Sequence, residues 1–411
     1  MADADQRRLR ENLLEQVRRN AHEPISDPVA EVLLSVPRHL FVPGLPVETA
    51  YQDDAIPTKL DGNGMPISSS SQPTIMALML DQLGLAPGHR VLEIGAGTGY
   101  NAALMSRLVS PGGEVVSIDI DQDLVRTARE NLARAGYPQV VVVQADGGDG
   151  FAAGAPYDRI IATVGVWDLA LAWLDQLAPD GRIVVPLDLG GVQASAAFER
   201  ADDHWVTRSV VPAAFMRLRG AFAGPERTHL LDRDNSLSIM VLDGADVDRL
   251  ALLAALTRPP SRWPTRVTAK ANQLFGGLGL WLTVSGSRWC ILSESSSARI
   301  ARLPAAPLRF TDRRYTAGIL DTDGLAVLAS EDDLGLVSRP AALGYGEGGD
   351  RLAQQLAEHV RAWNAAGRPG IDGLRIEAYR RSTPDSELPD RLIVDKRHTR
   401  LAVSWPAKSA P

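Results

Sequence analysis

Leu9, Leu13, Leu14 and Val17 recur at three- and four-residue intervals among charged neighbours, which predicts an amphipathic helix over residues 6–20. A second helix is expected over 27–36, capped by Ser26 or Asp27 and stopped near Pro37. VPRHLFVPG then reads as a loop. The stretch LDGNGMPISSSSQP (60–73) is so rich in Gly, Ser and Pro that no regular element is expected in it. Long irregular stretches inside a compact domain commonly carry function, so this one is a candidate binding loop.

From Pro73 the period switches. The apolar runs RVLEIG (90–95), EVVSID (114–119), VVVVQAD (140–146), YDRIIAT (157–163) and GRIVVPL (181–187) predict strands. Segments 74–83, 100–108, 121–135 and 169–177 between them predict helices. This alternation implies an α/β class, a Rossmann-like, doubly wound and mostly parallel sheet covered on both faces. Strands at 194–199 and 205–211 are expected to finish it as a hairpin turning at Asp202 and Asp203. Beyond residue 220 the pattern loses its period, with strand-like runs at 237–242, 278–284 and 289–292 and one helix over 350–364. The division expected is therefore 1–225 (helices and loop to 72, sheet core from 73) and a C-terminal α+β extension, 226–411.

Composition narrows the class. At 411 residues the chain is too long for one ordinary domain, and 45% hydrophobic residues are ample for packed cores. A formal charge of -7 argues against a general nucleic-acid partner, which needs clustered Lys and Arg to displace counterions. The single cysteine, Cys290, forbids an internal disulfide and a multi-Cys zinc site, and no metal is expected. Charge occupies the place where a signal peptide has its apolar stretch, and no apolar run is long enough to span a bilayer. A cytoplasmic protein without a membrane partner is expected; the oligomeric state is open, and a monomer is compatible with the sequence.

The strongest local signal is VLEIGAGTGY (91–100), a buried strand entering a glycine-rich turn and then a helix. Such turns let the backbone approach a ligand, and NAD, FAD and S-adenosylmethionine sites all use them. Here Gly95, Gly97 and Gly99 alternate after the acidic Glu93, unlike the dinucleotide fingerprint. S-adenosylmethionine carries an amino group and a sulfonium and no phosphate, so a nearby carboxylate suits it. Asp119 ends the second strand, placed for ribose hydroxyls, and Asp146 ends the third, placed for the adenine amino group.

VPRHLFVPG, AYQDDAIPTK, SSSSQPTIMALMLDQLGLAPGHRVLEIGAGTGYNAALM, ADGGDG and APYDRIIATVGVWDLALAWLDQLAPDGRIVVPL, in that order over residues 10–220, resemble the protein-L-isoaspartate O-methyltransferase family. The resemblance implies an enzyme that uses S-adenosylmethionine and releases S-adenosylhomocysteine. It places Ser71 at the methyl acceptor, with Ile67, Ser68, Ser69, Ser70 and Gln72 on the substrate. Around the cofactor it sets Ser70, Glu93, Gly95, Ala96, Gly97, Gly99, Asp119, Ile120, Asp146, Gly147 and Val164.

Two features depart from the family. Ser68, Ser69 and Ser70 stand where a Gly-rich stretch ending in Thr-Ile is usual, and some 190 residues follow the family's usual end. Tails with runs such as VDKRHTRL and GLGLWL resemble methyltransferases of ribosomally made, post-translationally modified peptides (RiPPs), which esterify one aspartate of a macrocyclic precursor that then closes to a succinimide (aspartimide). The leading expectation is that reaction, with the extension recognising the peptide. The alternatives are repair of isoaspartyl residues in aged proteins, a small-molecule O-methyltransferase, and a non-catalytic cofactor-binding scaffold. His39 reads as a structural hydrogen-bonder, Trp167 and Trp173 as core aromatics, and Cys290 as a small buried residue. DKRHTR (395–400) reads as a solvated charged face or a patch that steers an acidic peptide.

Overall fold

Apolar stripes set the first layer in the computed structural model, which describes residues 2–62, 66–232, 234, 236–270, 273–295, 298, 303, 308–310, 313–333 and 337–405. Helix α1 (Ala2–Asn20) buries Leu13, Leu14 and Val17 against α2 (Asp27–Ser35), which buries Val29, Val32 and Leu33. Ser26 occupies the N-cap of α2 but turns its hydroxyl to Asp81 instead of the helix backbone. After the short α3 (Val47–Ala50) the candidate loop is partly regular. Strand β1 (Ile56–Leu60) pairs antiparallel with β2 (Pro66–Ser70), in the register Ile56 to Ser70 and Lys59 to Ser68. The expectation of no regular element is thereby corrected. Serine hides the strand from a hydrophobic pattern, although Ser68 and Ser70 alternate inward as strand residues do. The tip of that stretch, 63–65, lies outside the described residues.

Helix α4 (Pro73–Leu83), with Pro73 in its first turn where no N–H is missed, leads into the alternating core. It runs β3 (Arg90–Ile94), α5 (Tyr100–Leu108), β4 (Glu114–Asp119), α6 (Gln122–Arg134), β5 (Val141–Gln144), β6 (Tyr157–Ala162), α7 (Leu171–Gln176) and β7 (Leu177–Asp188), then the hairpin β8 (Gln193–Ala201) and β9 (His204–Pro212). Strands β5, β4, β3, β6 and β7 are parallel neighbours in that order, and β8 and β9 continue the sheet antiparallel. This is the expected doubly wound α/β sheet.

The chain then leaves it. Strands β10 (Arg227–Leu230), β11 (Leu237–Val241), β12 (Ser261–Pro264), β13 (Ala269–Lys270), β14 (Trp289–Ser295), β15 (Leu308–Phe310), β16 (Arg313–Leu320), β17 (Gly324–Asp333) and β18 (Val337–Gly346) build a second, antiparallel sheet. Helix α8 (Arg249–Leu256) contributes Leu256 to the apolar cluster on one side of it, and α10 (Gly349–Ala365) buries Leu352, Leu356, Val360 and Trp363 in another. The run at 278–284, expected as a strand, is helix α9 (Gly279–Val284) behind a π-helical turn, Gln273–Leu278. Leu274, Leu278 and Leu282, four apart, share the cluster under α10, so the four-residue period prevailed over the alternation of Leu278, Leu280 and Leu282.

Past α10 the chain returns to the first sheet. Strand β19 (Arg375–Arg380) pairs with β9, placing Glu377 opposite Val206, and β21 (Thr399–Ser404) and β20 (Leu392–Asp395) follow outward. Among the described residues the first sheet thus has ten strands, and Ile376, Ala378, Leu401 and Val403 share its core with Leu92, Ile94 and Ile160. The strands of the second sheet and helix α10 thus lie, in chain order, between β9 and β19 of the first sheet. Among the described residues no helix is long and apolar enough to cross a membrane.

Candidate active site

The carboxyl ends of β3 and β4 carry the turn and the acids that the sequence singles out. Gly95 and Ala96 donate their N–H groups to the carbonyl of Ile118, which ties the turn to β4. Gly97, at φ +49°, donates its N–H to Asp119 Oδ2 (3.1 Å). The other oxygen of Asp119 accepts from the N–H of Asp121 (3.1 Å), and burial pushes this carboxyl above its ordinary range. Glu93 is 1% exposed. It accepts from Asn101 Nδ2 (2.8 Å) and Ser117 Oγ (2.5 Å), and burial, reinforced by the Asp119 charge, pushes its pKa up to about 7 against the pull of those two bonds.

A cavity of about 510 Å³ opens over this turn. Glu93, Gly95, Ala96, Gly97, Asp119, Ile120, Gly147 and Val164 line it from the side of the glycine turn; Ile67, Ser68, Ser69, Ser70, Ser71 and Gln72 line it from the hairpin side. A Cβ on Gly97 would stand 3.5 Å from the carbonyl oxygen of Ser69, so the hairpin lies directly on the turn. The segment 212–219 forms the remaining wall, and its backbone pairs with Gly165 through Met216 and Leu218.

Two expected residues do not line the cavity. Gly99, at φ +85° on the N-cap of α5, faces α6: a Cβ there would meet Leu132 and the Ala128 carbonyl at 3.1–3.2 Å. Its glycine serves helix packing. Asp146 accepts from the N–H groups of Gly148 and Ala221, both at 2.9 Å, so its carboxylate fixes the turn after β5 to the segment following the wall.

Other residues escaped notice in the sequence. Arg38, in VPRHLFVPG, is 0% exposed and donates to backbone carbonyls that include that of Ser71. Asp53 accepts from Thr74 and Gln72. Lys59 bridges Asp121 (2.9 Å) and Asp123 (2.8 Å), and Arg219 donates to the same Asp121 oxygen at 2.6 Å. The basic run 395–400 is solvated only in part: Asp395 and Arg397 are exposed, but Lys396 is 5% exposed, and Asp168 accepts from the His398 N–H (2.6 Å) and the Thr399 hydroxyl (2.5 Å). Trp173 is a core aromatic whose indole N–H also holds the Gly147 carbonyl, and His39 meets the Tyr51 hydroxyl at 2.8 Å.

The donor set fits S-adenosylmethionine. Two carboxyls, Glu93 and Asp119, line the glycine turn, and the two arginines among the described lining residues are already paired, Arg217 with Asp188 and Glu226 and Arg219 with Asp121. A pyrophosphate would find no free cation among them. Sheet order, glycine turn and strand-end acids together define a class I methyltransferase. The family model described as protein-L-isoaspartate(D-aspartate) O-methyltransferase matches residues 7–221, and the chain belongs to that family.

A protein-L-isoaspartate O-methyltransferase from Methanopyrus kandleri is 39% identical over 211 residues, 51% of this chain and 90% of that protein. One from Hyperthermus butylicus is 37% identical over 229 residues, 54% of this chain and 92% of that protein. A solved structure titled protein-L-isoaspartate O-methyltransferase aligns with 90% of this chain and 96% of its own, at TM-score 0.50 and 26% identity. The alignment to that structure thus extends well beyond the family match.

Proposed function

We propose that this methyltransferase esterifies the carboxylate of an aspartyl or isoaspartyl residue presented in a peptide, with Ser71 at the acceptor. The observation that carries the reading is that the Ser68–Gln72 segment and the Gly95–Gly97 turn line one cavity, so a carboxylate held by the first reaches a methyl donor lying on the second. Glu93, Gly95, Ala96, Gly97, Asp119, Ile120, Gly147 and Val164 hold the cofactor in this reading. When bound, S-adenosylmethionine supplies an electrophilic methyl group on a sulfonium.

An aspartyl carboxylate titrates near 4 and is ionised at neutral pH, so no general base is required. The chain's task is alignment and exclusion of water. Ser71 holds one carboxylate oxygen by its hydroxyl and leaves the other free to attack. The ester makes methanol the leaving group, and the next backbone nitrogen then closes a five-membered succinimide.

The finer reading is that the acceptor is an aspartate of a macrocyclic precursor peptide recognised by the segment between β9 and β19. It is supported by the serine-rich β2 and by the size of that segment. Repair of isoaspartyl residues in proteins is the second reading, and it is favoured by a solved protein-L-isoaspartate O-methyltransferase that aligns with nearly all of this chain. Mass spectrometry separates them. Enzyme and S-adenosylmethionine are incubated with a generic isoaspartyl peptide and with a macrocyclic Asp peptide. Methyl gain followed by methanol loss on the macrocycle alone supports maturation; methyl gain on the isoaspartyl peptide alone assigns repair. Gain on neither removes the proposal.

A further inference from the structure

A fully buried guanidinium is costly unless its donors are met. Arg38 meets those of its two terminal nitrogens with carbonyls from two segments, while its buried Nε has no partner. Nη1 donates to Ala50 (3.0 Å) and Gln52 (2.8 Å); Nη2 donates to Asp54 (2.9 Å), Ser71 (3.0 Å) and, at a longer 3.4 Å, Ser70. Its Cζ also lies over the Tyr100 ring, 5.9 Å from the centroid. Tyr100 is the first residue of α5, directly after the glycine turn. One planar group therefore touches the acceptor-side backbone and the cofactor-side helix together.

Asp53 clamps the same segment from its other end. Its carboxylate accepts from the Thr74 N–H (2.8 Å), the Thr74 hydroxyl (2.6 Å), Gln72 Nε2 (3.1 Å) and Asn20 Nδ2 (2.7 Å). Ser71 lies between these two anchors and lines the cavity.

We propose that Arg38 is a positioning residue for methyl transfer: it fixes the Ser70–Ser71 backbone against Tyr100 and thereby sets the distance between the acceptor carboxylate and the methyl donor. The inference rests on the carboxyl-methylation reading above. A misplacement of about 1 Å in such an alignment can cost about 10²-fold in rate. Lysine cannot substitute, because one ammonium presents three donors from a point and cannot span five carbonyls.

The test is a double-mutant cycle on whichever acceptor the wild-type chain methylates, using Arg38→Lys, Ser71→Ala and both together. Affinity for S-adenosylhomocysteine is measured on each by calorimetry. Arg38→Lys is expected to lower kcat about 10²-fold while S-adenosylhomocysteine affinity stays within about threefold. The double variant is expected to be no slower than Ser71→Ala alone, because Arg38 acts through that loop. Losses that multiply overturn the inference, as does cofactor affinity falling in step with kcat. Should Arg38→Lys fail to fold by circular dichroism, Tyr100→Leu takes its place, removing the ring face on which the guanidinium lies. The same non-multiplying loss is expected, and a multiplying one overturns the inference equally. A wild-type chain that methylates neither peptide removes the underlying reading, and the inference with it; multiplying losses in an active chain remove the inference alone.

Discussion

The ammonium of Lys396 lies 4.7 Å from the centre of the Trp167 indole ring and donates to the carbonyl of Asp188 at 2.9 Å, across 208 residues of sequence. The turn between β20 and β21 thereby reaches under the cavity wall, because the Asp188 carboxylate accepts from Arg217, which lines the cavity. His398 of the same turn stacks on Phe222 at 5.5 Å, and Phe222 packs on Trp173. The cavity wall is thus propped by the C-terminal return.

Burial pulls the Lys396 pKa down to about 8, with the Asp188, Asp168 and Glu226 charges opposing that fall. Between pH 8 and the ordinary lysine value of 10.5 the folded chain has lost a proton that the unfolded chain keeps. This locus therefore gains stability as pH rises through that window, by at most about 3 kcal/mol. Replacing Lys396 with Met removes its bond to the Asp188 carbonyl together with a charge whose burial is net costly, and Arg217 still pairs with Asp188 and Glu226, so stability at pH 7.5 is expected to change by no more than about 1–2 kcal/mol. Urea denaturation at pH 7.5, 8.5 and 9.5 checks both effects. The wild type should gain stability over that range relative to Lys396→Met, and parallel pH profiles would refute the assignment.

Glu93 sets a second pH dependence. With its pKa pushed up to about 7 by burial, the folded chain holds a proton between pH 4.5 and 7 that the unfolded chain has released, so this group's contribution to stability falls as pH rises through that window. With the cofactor held as proposed, its sulfonium and ammonium favour the ionised carboxylate, so binding is expected to expel the proton. Affinity for S-adenosylmethionine is expected to rise from pH 6 towards 8, approaching tenfold per unit below the pKa and levelling above it. Calorimetry in two buffers of different ionisation enthalpy measures the released proton. Glu93→Gln should bind more weakly with a flat profile; a slope that survives the substitution locates the proton elsewhere.

The parts legible in the sequence are local. A buried strand, a glycine turn and a strand-end acid occupy ten contiguous residues around Gly95, and their geometry follows from backbone rules that need no distant partner. Strand β2 was missed because Ser68–Ser70 offers hydroxyls where a strand usually shows apolar residues, and its stability comes from β1 and Arg38. Arg38 itself was missed because arginine is expected at the surface, and nothing local shows that five carbonyls will surround it. The return of β19 could not be read either. Its register, Ala378 opposite Trp205, joins segments separated by the whole second sheet, and the alternation within RIEAYR is equally compatible with that sheet.

The Lys59 bridge predicts a salt effect. Lys59, on β1, holds the hairpin to Asp121 and Asp123 at the start of α6, and Arg219 of the wall meets the same Asp121. These side chains are partly exposed, so each pair is worth about 0.2–1 kcal/mol and is screened by salt. Lys59→Met should leave the melting temperature nearly unchanged and speed S-adenosylhomocysteine release about two- to fivefold at low ionic strength. In 1 M NaCl the wild type should approach the variant. Stopped-flow dissociation at both salt concentrations decides it, and equal rates at low salt would show that the bridge does not hold the hairpin closed.

Ending the chain at residue 225 tests how the C-terminal return supports the family core. The matched region stops at residue 221, and the short relatives suggest that it stands alone. In this chain, however, β9 is an interior strand, and removing β19 exposes its ladder at Trp205 and Val206. Ile376, Leu374, Leu401 and Val403 leave the core of the first sheet, each contributing about 1.5–3 kcal/mol of burial. The combined loss, about 6–12 kcal/mol, is comparable to the 5–15 kcal/mol that stabilises a typical domain. The shortened chain is therefore expected to aggregate or to lack cooperative unfolding, and to bind S-adenosylhomocysteine at least tenfold more weakly. A second form tests the second sheet and α10 separately: residues 226–370 replaced by a short Gly/Ser linker, with residues 371–405 kept. That form should fold and retain cofactor affinity within about threefold, because the return strands and the Lys396 turn are still present. Calorimetry on both decides the matter. Tight binding by the chain ended at 225 would show that the return strands are dispensable to the site, and loss of binding in the linker form would show that the replaced segment itself supports the cavity.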